Sequence, residues 1–150
     1  MTEVERILDQ LRRSHEGEAW HGPALKELLD GVTADRAARR PLPSAHNIHE
    51  IVLHIAFWVE SAADALRGVP MPAEESNCWP AVQPGETGWR SAIVRLDAAQ
   101  SGLRRETEKL GSERLGDIVH GRSYTVYFLL HGIAQHNLYH AGQIALLKKS

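Results

Sequence analysis

The sequence predicts an all-α protein, a bundle of four long helices with a short extra helix between the first and the second, folded as one domain over residues 1–150. Three observations predict it. Apolar residues recur at steps of three and four in four separate segments, no stretch demands the apolar–polar alternation of a half-buried strand, and the breaks between segments carry proline and glycine. A chain of this length buries a substantial core without disulfides or a structural metal, so any metal has to be explained by function.

The first helix is expected over VERILDQLRRS, with Thr2 as its cap and Val4, Ile7, Leu8 and Leu11 on one face. After the polar break HEGEAWHG, Pro23 suits the first position of a two-turn helix, PALKELLDG, which Gly31 closes. ARRPLPSAHN reads as a turn, and Ser44 as the cap of a long second helix over about 45–67 that Gly68 and Pro70 end. Residues 68–88, with Pro70, Pro72, Pro80 and Pro84, form a connection long enough to carry the chain back along the bundle, so the second and third major helices can run parallel. Residues 89–110 are helical again, with Ile93, Leu96, Leu103 and Leu110 on one side and RRETEK on the other. The link GSERLGDIVHGR is short. Ser123 then caps a last helix of about 26 residues, nearly 40 Å long at about 1.5 Å per residue.

Seventeen Lys and Arg against nineteen Asp and Glu leave no basic stripe, which excludes nucleic acid as the expected partner. A single cysteine, Cys78, excludes an internal disulfide framework. MTEVERILDQ lacks the basic start and apolar run of a signal peptide, so a cytoplasmic location is expected. The most apolar run, IVLHIAFWVE, is cut by His54 and ends in Glu60, far short of the roughly 18 apolar residues of a membrane span. A small-molecule substrate is the partner that remains. Nine histidines are the compositional oddity.

On the last helix the apolar stripe runs Val126, Leu129, Leu130, Ile133, His136, Asn137, His140, Ile144 and Leu147, which puts two histidines four apart within the core-facing seam. Residues at that spacing have Cβ atoms about 6 Å apart, close enough for two imidazoles to converge on one ion. On the second helix Ile51, Ile55, Val59, Ala62 and Leu66 mark the core, and His54 and Trp58 lie immediately beside that row. A third imidazole is therefore available. A lone histidine in such a stripe is usually a satisfied core residue. Three polar rings in one bundle core are different, because each unmade hydrogen bond costs about 1–3 kcal/mol and one divalent ion satisfies them together. HNLYH lacks the glutamate that serves as base in H-E-x-x-H, and the bundle helices do not show the Glu-x-x-His repeats of di-iron carboxylate proteins, so the site reads as mononuclear.

These segments resemble a known family. IHEIVLHIAFW, the proline-rich connection, a helix opening at Trp89 and the ending HNLYHAGQIALL, together with WHGPALKELLDGV and RRPLPSAHNIHE, are similar to the DinB/YfiT-like proteins over essentially the whole chain. The resemblance implies a four-helix bundle with an up-down-down-up course, often a homodimer, binding one divalent metal through three histidines, which fall here on His54, His136 and His140. Members of the family include S-transferases and isomerases that use bacillithiol, mycothiol or glutathione, and others described as metal-dependent hydrolases. The expected cofactors are therefore a divalent ion, Zn²⁺ first with Ni²⁺, Mn²⁺ or Fe²⁺ as alternatives, and a low-molecular-weight thiol. No residue in the chain identifies which thiol.

The leading expectation is a metalloenzyme that transfers such a thiol to a small electrophile; its rivals are a hydrolase using the same ion and a non-catalytic metal-binding stress-response protein. Glu50, one turn before His54, is a candidate to orient that imidazole, Gln143 a candidate to touch a metal-bound water, and Trp58 a candidate wall of the pocket. His131 is rotated about 140° from His136 on the helix and reads as structural or surface. His46 and His49, near the start of the second helix, read as exposed, and His15, His21 and His120 fall in links. Cys78, in SNCWP, has no neighbour in sequence that would activate a thiol.

Overall fold

The computed structural model describes residues 1–73 and 77–150. The elements in chain order are α1 (Glu3–His15), α2 (Leu25–Leu29), α3 (Ala34–Ala38), α4 (Ile48–Leu66), α5 (Gly85–Glu108), a 3₁₀ turn (Ser112–Gly116) and α6 (Val126–Leu147). Among the described residues there is no strand; the one antiparallel bridge, Ile118 to Thr125, is isolated. No helix among these residues is long and apolar enough to cross a membrane.

Caps explain where the helices begin. Thr2 and Glu5 close a capping box on α1, as its sequence suggests. The second long helix starts later than expected, because Asn47 has an acidic residue three positions on and Ser44 does not: Asn47 accepts from the Glu50 N–H, and the Glu50 carboxylate accepts from the Asn47 N–H. On α6 the cap is Thr125 and not Ser123, since the bridge to Ile118 holds Thr125 extended until its hydroxyl accepts the Phe128 N–H. The last helix is accordingly 22 residues long. Pro23 precedes the cap of α2 instead of opening the helix, and a second short helix, α3, follows it on the cap Thr33. At the other edge of the long connection, α5 begins a turn before Trp89. Gly88 permits this, for a Cβ there would sit 1.7 Å from the Gln83 carbonyl oxygen.

The long helices enclose one core in which Ile7, Leu11, Ile51, Ile55, Leu96, Leu103, Leu130 and Ile144 are fully buried. Pairs between α4 and α5 rise together along both helices: His49 meets Trp89 edge-on, Glu60 holds Arg95 at 2.7 and 2.9 Å, and Arg67 lies 3.4 Å from Glu106. The two helices therefore run in the same direction, which the long connection allows. α6 crosses α4 in the opposite sense, with His136 beside His54 and Leu147 beside Ile48.

Two histidines read as exposed or as loop residues are buried. His49 is 2% exposed, because α4 is covered by α3, α5 and α6 and so has no polar face at its start. His15 is the last residue of α1 and is 3% exposed, with Nε2 2.9 Å from Asp97 on α5. The indole N–H of Trp89 likewise donates to the Val32 carbonyl at 2.8 Å, fastening the start of α5 to the segment between α2 and α3.

Core and surface positions of α5 give opposite expectations. Leu103 is fully buried and Val94 is 62% exposed. Leu103→Ala should cost about 2–5 kcal/mol in urea unfolding, and Val94→Ala less than about 0.5 kcal/mol. Equal losses would show that α5 does not present this face to the core.

Candidate metal centre

Three imidazoles meet between α4 and α6. The Nε2 of His136 lies 3.2 Å from Nε2 of His54 and 3.1 Å from Nε2 of His140, and the candidate ligand atoms of all three lie within 4.8 Å of one another. Their tautomers follow from what the other ring nitrogens touch. His54 Nδ1 is 2.8 Å from the Cys78 carbonyl, and His140 Nδ1 is 2.6 Å from Gln143 Oε1. An amide oxygen only accepts, so each Nδ1 carries the proton and donates it. The Nε2 atoms of His54 and His140 are therefore bare lone pairs aimed at His136.

His136 cannot satisfy both. A proton on its Nε2 serves one neighbour and leaves the other facing nitrogen, while its own Nδ1 is buried with no partner among the described residues. Burial pushes His136 down to about 3, with His140 and then His54 adding to the effect. His54 and His140 are also lowered, burial again being the first cause, against the hydrogen bonds they donate to the Cys78 carbonyl and to Gln143 Oε1, which favour the charged form. All three rings are thus neutral at pH 7, the form in which imidazole binds a metal. Tetrahedral Zn–N bonds of about 2.0–2.1 Å place nitrogens roughly 3.3–3.4 Å apart. The donor set and its spacing fit one divalent ion, and such an ion removes the conflict that protons leave.

The long connection supplies the outer layer. Trp79 lies flat on His54, centroids 3.9 Å apart and planes 11° apart, and His46 lies flat on Trp79 at 3.4 Å and 10°. Both rings sit nearly over the same indole, so they occupy opposite faces and form a three-ring stack. Cys78 thus enters through its carbonyl, and its neighbour fixes the plane of the His54 ring. Against His140 and Trp79 opens a cavity of about 440 Å³ whose wall also includes Gln143 and His46. Cavities of about 520, 460 and 530 Å³ lie elsewhere and touch none of the three histidines.

The other candidates are placed as follows. Glu50 makes no hydrogen bond to His54; its carboxylate is spent on the Asn47 N–H, on His46 Nδ1 at 3.2 Å and on Arg40. It supports the outermost ring of the stack instead. Gln143 reaches His140 from the Nδ1 side, away from the converging nitrogens. Trp58 meets His54 edge-on at 6.4 Å and packs on the core, and it does not line the cavity. His131 stacks on Tyr127, one turn before it, apart from the triad. Trp79 is the residue the sequence reading missed. Its signal was a large indole in a polar, proline-rich connection, where solvent exposure would waste its apolar area.

The depressed histidines set an acid limit. His136 titrates near 3 in the folded chain against 6.5 when free, so on acidification the unfolded state takes the proton first. Stability of the metal-free protein should fall as pH drops from about 6.5 toward 3, by up to about 1.4 kcal/mol per unit from this residue. His136→Gln should flatten the slope in thermal melts between pH 7 and 4. An unchanged slope would mean that His136 is not held neutral.

A sequence profile described as the DinB superfamily matches residues 19–144. No curated protein and no solved structure gives a significant match. The matched span contains α4, the connection with Cys78 and Trp79, and the α6 histidines up to Ile144, so the site and the helices that build it fall inside it. The chain belongs to the DinB superfamily.

Proposed function

We propose that the protein is a mononuclear metal-dependent enzyme in which His54, His136 and His140 hold a divalent ion, Zn²⁺ first, and that it transfers a low-molecular-weight thiol to a small electrophile. The observation that carries the metal assignment is the pair of Nε2 lone pairs, fixed by Cys78 and Gln143, that converge on a third neutral imidazole. Held by three neutral ligands, an ion keeps its +2 charge and an open position, which lowers the pKa of a bound water toward about 7 or keeps a bound thiol as thiolate.

The chain's own part is orientation. The Cys78 carbonyl and the Trp79 ring hold His54 in one tautomer and one plane, Gln143 holds the tautomer of His140, and burial keeps His136 neutral. In the transfer the thiol loses its proton to solvent, a sulfur–carbon bond forms at the electrophile, and the leaving group departs with the bonding pair. Among the described residues no carboxylate hydrogen-bonds any of the three histidines. Thiol transfer is placed ahead of hydrolysis on the resemblance to the DinB/YfiT-like S-transferases. The bundle is proposed to follow the up-down-down-up course of its relatives, and the protein to act as a cytoplasmic homodimer; light scattering at working concentration checks the dimer.

Protein purified without chelator or tag should carry about one divalent ion per chain by elemental analysis. His136→Ala should abolish tight binding and His131→Ala should preserve it; full occupancy in His136→Ala rejects the ligand set.

The activity is read with Co²⁺ in place of the native ion. Adding bacillithiol, mycothiol or glutathione should produce an intense near-ultraviolet charge-transfer band, and His54→Ala should remove both the band and conjugation to a model electrophile. If no thiol perturbs the spectrum while simple esters are hydrolysed with the same dependence on His54, the hydrolase reading replaces thiol transfer. A bound, water-accessible ion with neither chemistry leaves the metal-binding stress-response role.

A further inference from the structure

The cavity beside His140 has a chemistry of its own. Ile51 and Leu147 form its inner apolar wall, and Leu42, Tyr139 and Leu146 stand at its mouth with 54%, 67% and 68% of their surface exposed. Large apolar side chains left in water around one opening mark a binding surface. Charged residues make up 24% of the chain, yet among the described residues no Lys, Arg, Asp or Glu lines this cavity. Its wall includes an oriented amide whose capacity is unspent: Gln143 has its oxygen occupied by His140, which leaves the NH₂ as a donor without a protein partner among the described residues. About 440 Å³ is ample for a small ligand, since a cavity of about 150 Å³ already holds benzene.

We infer that this cavity is the electrophile's subsite, and that it takes an uncharged molecule with a flat apolar body of one or two rings and one hydrogen-bond acceptor, which Gln143 meets. Its catalytic meaning rests on the metal-enzyme reading above; its binding does not. In the metal-free protein a carboxylate or ammonium group entering here would surrender its hydration and meet no side chain of opposite charge among the described residues of the wall. The Tyr139 ring and the edge of the Trp79 indole, whose faces are taken by His54 and His46, offer apolar contacts instead.

The full-length protein is tested with three probes of one size, acetophenone, benzoate and benzyltrimethylammonium, plus ethylbenzene as the analogue without an acceptor. Binding is measured by ligand-observed NMR and by quenching of tryptophan fluorescence, with and without chelator. In the chelator-treated protein acetophenone should bind at least about tenfold more tightly than either ion and severalfold more tightly than ethylbenzene. Ala45→Trp, which fills the mouth from the loop before α4, should weaken it at least tenfold while circular dichroism and metal content stay unchanged. Benzoate binding as well as acetophenone overturns the proposal, and so does full acetophenone binding in Ala45→Trp. A third result overturns it too: a dimer that Leu146→Asp dissociates, with no probe bound by either form, would show that a second copy covers the mouth. A protein that binds acetophenone yet carries no ion would sink the metal reading and leave the subsite standing.

Discussion

Two lone pairs that converge on a third neutral imidazole in the bundle core are the constraint around which this site is arranged. His54 and His140 are each forced by an oxygen on the outer side to present a bare Nε2 inward, and His136 stands between them with no second partner. Protons cannot resolve the arrangement at neutral pH, because burial and the neighbouring rings hold all three imidazoles below their ordinary titration range. In a core of close-packed Ile and Leu this is a local cost of a few kcal/mol, tolerable against the burial of the surrounding apolar side chains. A bound cation would remove the cost and so would couple binding energy to folding energy at this point.

The path of the chain decides who surrounds that point. Because α4 and α5 run in the same direction, the segment between them must travel the length of the bundle, and it passes over the open end of the triad. A hairpin would have left His54 to solvent. The crossing segment instead delivers the Cys78 carbonyl to Nδ1 and the Trp79 indole to the ring face, while His46, tied to the capping residue Glu50, closes the outside of the stack. One side chain, Glu50, thereby serves as helix cap and as the anchor of the outermost ring. Helix initiation and site geometry are the same event on α4.

The sequence carried the periodic part of this plan. The α6 stripe and the His54 position are local properties of helices, and the structure brings those three rings together. What stayed illegible depends on contacts between distant segments. Asn47 displaces Ser44 as cap because of its own partner at Glu50, which could have been read; the start of α5 depends on the backbone of Gln83 lying against Gly88, which could not. His49 and His15 were misplaced because a one-sided stripe describes an outer helix, whereas α4 is covered on several sides and the end of α1 meets α5. Trp79 sits in a segment with no period at all. Its role comes from where the crossover lands.

The electrostatics of the site divide the labour between protein and ion. The triad is neutral, the cavity beside it is neutral, and no carboxylate touches the three imidazoles among the described residues, so the chain itself supplies almost no charge to the reacting region. A bound cation would then be the dominant field there, undiminished by anionic ligands and strengthened by the low-polarity surroundings. Anionic sulfur gains most from such a field, and an uncharged electrophile loses least by entering the apolar cavity next to it. The protein leaves charge to the ion and keeps for itself the work of geometry: two tautomers, one ring plane and one dry wall.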